Sequence, residues 1–123
     1  MTKGDTMSAS ERFANRISQI KGVKYFVLAR RDGQIVTHNL SDPDDLAAMT
    51  TLCGLQTEEI RTTFGFSGFR LLTMTRTNQE NLLLFKIDKY FLSVIHTADA
   101  DPESLTGELN TFLKNLTRQS KTG

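Results

Sequence analysis

Residues 81–97, NLLLFKIDKYFLSVIHT, are two apolar runs around a short polar break. Leu82 and Leu84 alternate with Leu83, Phe85 and Ile87. Tyr90, Leu92 and Val94 alternate with Phe91 and Ile95. Each run is therefore a strand that is apolar on both faces, and such strands need cover above and below the sheet. Asp88-Lys89 predicts a tight turn between them, unusual in lacking glycine. The two strands are then antiparallel neighbours.

Working upstream, Phe69 to Arg76 reads as a further strand joined by the turn Thr77-Asn78-Gln79-Glu80, which makes a three-strand meander. Before it, Ser41-Asp42-Pro43-Asp44-Asp45 is a strong helix start, with capping oxygens, an early proline and negative charge at the positive end of the dipole. That helix is expected to run to about Phe64, where Gly65 ends it. Gln34 to His38 and Val23 to Arg30 are strands joined by the hairpin signal Arg31-Asp32-Gly33. Ser8-Ala9-Ser10-Glu11 is a capping box for a first helix bearing Phe13, Ile17 and Ile20, with Gly22 placed to stop it. Downstream, Asp99-Ala100-Asp101-Pro102-Glu103 opens a last helix with the stripe Leu105, Leu109, Phe112 and Leu116 and with Leu113 beside it. The order is α-β-β-α-β-β-β-α, an α+β chain with helices on both sides of one sheet. Residues 1–7 and 119–123 are expected to be flexible tails around one domain at 8–118.

The middle helix carries more apolar surface than one contact needs. On a wheel of roughly 100° per residue, Leu46, Met49, Cys53, Ile60 and Phe64 share a sector that is expected to lie on the sheet. Ala48, Leu52 and Leu55 form a second sector, continued by Glu59 and Thr62. Thr51, Gly54, Glu58 and Arg61 occupy what is left and are expected to face a partner. One stripe suffices for a helix on a monomer's sheet. The second is either covered by the chain's own loops or meets a second copy across a two-fold axis. The strand opening the meander is expected at the sheet edge, and Leu71, Thr73 and Thr75 on it are open to pairing because no proline blocks them. Arg70 and Arg76 read equally well as ordinary edge protection.

Composition narrows the function classes. The 123 residues suit one domain. Hydrophobic residues make up 38% and charged residues 24%, a globular balance. Fifteen Lys and Arg against 14 Asp and Glu leave a net charge of +1, which argues against nucleic acid or an anionic membrane as the main partner. No apolar run reaches signal-peptide or membrane-spanning length, so a cytoplasmic location and no membrane insertion are expected. Without a signal peptide, the glycosylation patterns at Asn39 and Asn115 read as chance.

No catalytic constellation emerges. Cys53 is the single cysteine, so no internal disulfide forms, and its mid-helix place on the core stripe favours burial over reactivity. His38 and His96 sit at strand ends in no ligand motif. Asp42, Asp44 and Asp45, like Asp99, Asp101 and Glu103, fit helix capping better than a calcium loop. Gly65-Phe66-Ser67-Gly68 lacks the lysine of a phosphate-binding loop. Phe64, Phe66 and Phe69 read as packing at a helix-to-strand joint or, alternatively, as an anchor for a partner. Neither a metal nor a cofactor is expected, and a binding module is favoured over an enzyme.

Several segments resemble the Roadblock/dynein light chain family: Ile17-x-x-Ile20-x-Gly22-Val23 running into a strand, Arg31-Asp32-Gly33 with Ile35-Val36, Leu46-Ala47-Ala48 early in the long helix, and residues 81–94. The similarity spans about residues 10–115 and lies in order and spacing, since each piece is short. It implies a five-stranded antiparallel sheet in a three-layer α/β/α sandwich, the long helix on one face and the terminal helices on the other. It further implies a homodimer with paired middle helices and joined edge strands, one that regulates or holds a small Ras-like GTPase without catalytic residues of its own. Bacterial polarity regulators of the family are similar in size. The Thr73, Thr75, Thr77 stretch and Gly54 depart from a typical member. A structural adaptor in a larger assembly and a small-ligand sensor are the alternative readings.

Overall fold

Ser8 closes a capping box on α1 (Ala9–Ser18), as expected: its hydroxyl accepts the Glu11 N–H at 3.2 Å and its own N–H donates to the Glu11 carboxylate at 3.1 Å. The helix ends at Gln19, earlier than Gly22, whose φ of 102° instead turns the chain into the sheet. The computed structural model describes residues 8–65, 71–75 and 81–122, with 117–122 as backbone only.

After α1 come β1 (Val23–Arg30), β2 (Ile35–His38), α2 (Asp44–Phe64), β3 (Leu71–Met74), β4 (Leu82–Ile87), β5 (Tyr90–His96) and α3 (Pro102–Thr122). The strands form one antiparallel sheet in the order β2-β1-β5-β4-β3. The meander and the β3 edge are where the sequence predicts them. The β3 strand is shorter than expected, and its predicted ends at 69–70 and 76, with the turn at 77–80, lie outside the described residues. Asp88 takes φ 51° in the β4–β5 turn, the left-handed conformation that aspartate tolerates better than most residues. The last helix spans Pro102–Thr122.

Both sheet faces are covered, as the two-faced strands require. On one side α1 and α3 bury Phe13, Ile17, Leu105, Leu109 and Leu113 against Phe26, Leu28, Leu83, Phe85, Leu92 and Val94. Phe13 meets Phe26 edge-on at 6.2 Å between ring centres. On the other side α2 is the one helix among the described residues, over a smaller cluster of Val27, Ala29, Leu46, Ala47, Leu82, Leu84 and Phe91.

Beyond the end of β2, Asn39 acts as one more strand residue. Its Oδ1 accepts the Phe26 N–H at 2.8 Å and its Nδ2 donates to the Lys24 carbonyl at 3.1 Å. Asn39→Ala leaves the Phe26 N–H without that acceptor and is expected to cost about 1 kcal/mol, read as a lower urea midpoint at unchanged slope.

Candidate functional site

A row of small and polar residues, Thr50, Gly54 and Glu58, fastens α2 to the sheet. Thr50 is fully buried; its hydroxyl donates to the Leu46 carbonyl and pairs with the Ser93 hydroxyl on β5, each at 2.6 Å. One turn on, Gly54 brings the helix backbone onto the Phe91 ring: a Cβ there would stand 2.7 Å from three ring atoms. A further turn on, Glu58 reaches Arg31 after β1 and Lys86 on β4, the latter at 2.6 Å. The Arg31 guanidinium also lies 5.9 Å from the centre of the Phe91 ring.

The Glu58 carboxylate is charged and only 10% exposed. Burial pushes it up, but hydrogen bonds and charge from Lys86 and Arg31 outweigh that and hold it below the usual carboxylate range. The seam is thus polar, with its hydroxyls hydrogen-bonded and its carboxylate paired with two cations, which lets residues other than large aliphatics face the sheet.

This orientation corrects the wheel reading. Leu46 is buried as expected and Cys53 is half-buried, but Met49 (37% exposed), Ile60 (56%) and Phe64 (71%) do not lie under the helix. Gly54 and Glu58, expected at a partner face, are buried against the sheet, and Thr51 and Arg61 are half-buried beside them. The missed signal was the i, i+4, i+8 row Thr50–Gly54–Glu58. A mid-helix glycine costs about 1 kcal/mol relative to alanine, so it marks a close approach.

Much of what α2 turns to solvent is apolar. Leu52 (57% exposed) and Leu55 stand open with Ala48, Glu59 and Thr62, and Met49, Ile60 and Phe64 stand open along one flank. Leu71, Thr73 and Thr75 belong to the β3 edge, Leu71 half-buried in the α1/α3 core and both threonines exposed. Phe66 and Phe69 lie outside the described residues.

The remaining candidates are structural. His96 is buried, its Nδ1 donating to the Thr97 carbonyl at 2.7 Å and its Nε2 accepting the Asn81 N–H at 3.2 Å. The Nδ1 of His38 accepts the Leu40 N–H at 3.1 Å. Asp42 accepts the Asp44 N–H, and Asp101 caps α3 through the Ser104 N–H and hydroxyl, which lowers its carboxyl from the usual value. Among the described residues no His, Cys, Asp and Glu group together to hold a metal, and no helix is long and apolar enough to cross a membrane.

No protein-family model matches the chain, and no curated protein matches it. Solved structures do. MglB of Myxococcus xanthus superposes with a TM-score of 0.77 at 15% identity, over 87% of this chain and 84% of that one. A Roadblock/LC7 domain from Streptomyces avermitilis gives 0.72 at 18% identity, over 88% and 93%. A structure described as MglB with a tetrameric arrangement gives 0.74 at 16%, over 91% and 90%. At such identities the likeness is one of fold.

Proposed function

Starting from a Roadblock fold whose central helix leaves its greasiest face open, we propose that this chain is a homodimeric, non-catalytic regulator or binding platform for a small Ras-like GTPase. The observation that carries the proposal is the exposure of Leu52, Ile60 and Phe64 on one helix. Several large apolar side chains together on an otherwise ordinary surface mark an interaction site. The β3 edge, with exposed Thr73 and Thr75 and half-buried Leu71, supplies unpaired backbone groups that a second copy can pair. The tetrameric arrangement of a structural neighbour supports self-association within this fold.

The GTPase part rests on the family resemblance together with the MglB-like architecture. The described residues hold no catalytic constellation, so any effect on hydrolysis acts by positioning the GTPase's own switch loops. Light scattering on a sizing column is expected to give twice the 13.8 kDa chain mass at micromolar concentration; a monomer there sinks the dimer. Affinity capture from the native extract is expected to recover a small GTPase whose hydrolysis rate or nucleotide exchange changes on adding this protein. Recovery of only other proteins replaces the regulator with a structural adaptor.

A further inference from the structure

We propose that the open end of the α1/α3 layer binds a small amphiphilic carboxylate, a straight chain of about eight to ten carbons with a single anionic head. The site lies on the face of the sheet opposite α2 and depends on neither the dimer nor the GTPase reading.

The alternation of the strands builds it. Leu28 on β1, Leu92 on β5 and Phe85 on β4 face α1 and α3. One period further toward the same end of the sheet come Arg30, Tyr90 and Ile87, on that same face. Arg30 and Tyr90 are direct partners across β1 and β5. On β2 the pairing steps from Leu28↔Thr37 to Ala29↔Ile35, so Val36 is an extra residue in a bulge, and it packs on the α1/α3 core. Bulges re-aim a side chain and recur beside functional sites. Phe13, Leu28, Val36, Ile87 and Leu116 line a cavity of about 290 Å³ there. The first turn of α1 leaves it open, because it offers only Ala9 and Ser10, and Phe13 comes a turn later. The volume holds about ten water-sized groups, and its apolar lining favours a methylene chain over water.

The mouth selects the head group. Tyr90 lines the cavity and also an adjoining hollow formed with Arg30, Arg31, Asp32 and Lys89. Arg31 is engaged by Glu58. Arg30 meets Asp32 at 3.3 Å, in a pair more than half exposed and therefore weakly held. Lys89 makes no ion pair among the described residues. A carboxylate beside Tyr90 thus finds Lys89 and the Arg30 guanidinium. Asp88 at the rim opposes a second negative charge, which limits the head to a monoanion.

Titration calorimetry at pH 7 is expected to show saturable, sub-millimolar binding of octanoate, tightening about 4-fold per added carbon up to decanoate. Octylamine, which pits Asp88 against Arg30 and Lys89, is expected to bind more weakly than octanoate. Lys89→Glu, in an exposed turn, is expected to weaken octanoate about 5-fold and to leave octan-1-ol unchanged. Ala9→Trp, exposed at the cavity wall, is expected to abolish binding of both by filling the space. Circular dichroism melting checks that both variants are folded. Binding that Ala9→Trp leaves intact puts the ligand elsewhere, as on the exposed Leu52 and Phe64 of α2, and overturns the site. Octylamine bound as tightly as octanoate, or octanoate indifferent to Lys89→Glu, overturns the anionic head. No saturable binding by the parent protein overturns the proposal entirely and leaves the dimer and the GTPase reading standing.

Discussion

Gly54→Val is expected to lower the unfolding free energy by about 3 kcal/mol, the scale of overpacking a fixed core. The residue sits where α2 approaches the sheet most closely, and its added Cβ would stand 2.7 Å from the Phe91 ring. Phe91 has no solvent to retreat into, being fully buried. Either the ring leaves its place among Val27, Ala29 and Leu84 or the helix lifts off the sheet. Gly54→Ala sharpens the test, because on an exposed helix it would stabilise by about 1 kcal/mol. Here a net loss of about 1–2 kcal/mol is expected, read from urea unfolding. An alanine variant as stable as the parent would show that the close contact does not exist. Phe91→Leu should relieve part of the alanine penalty, giving a non-additive double-mutant cycle.

Glu58→Gln is expected to cost about 2 kcal/mol at pH 7, less than a fully buried ion pair because Arg31 and Lys86 keep contact with water. The loss depends on pH. The folded protein holds this carboxyl below its usual 4.5, so the native state binds its proton more weakly than the unfolded chain does. The stability from ionised Glu58 is complete above about pH 4.5 and disappears as pH falls through the lower folded value. Parent and variant urea curves should therefore be well separated at pH 7 and converge as pH falls below the usual carboxylate range. A separation that stays constant would show that Glu58 acts through shape and not through charge.

Both substitutions lie on the side of α2 that periodicity alone misplaces. The end of α2 was legible: Gly65, in the left-handed conformation at φ 79°, stops the helix after Phe64 as its place in the chain implies. So were the capping box at Ser8, the two-faced strands β4 and β5, and the edge position of β3. Each depends on neighbours within a few residues, or on a period of two that either alternates or does not. The resemblance carried the layer order correctly, since order and spacing of elements are what a fold shares at low identity.

The candidate site was half legible. An excess of apolar surface on α2 could be counted from residues 44–64, and the row Ala48, Leu52, Leu55, Glu59 and Thr62 is exposed. Which way the helix turns could not be counted. Met49, Ile60 and Phe64 are as hydrophobic as a core demands, and Thr50, Gly54 and Glu58 look like surface.

From the sequence by itself came the elements, their order and the surplus of grease on one helix, because these follow from local sterics, capping and periodicity. Only the tertiary structure decided which face of that helix is inside. A hydroxyl, a bare backbone and a carboxylate can be buried when Ser93, the Phe91 ring and the Arg31–Lys86 pair wait opposite them. Those partners are distant in the chain, and satisfying a buried polar group is a property of the meeting, not of either segment.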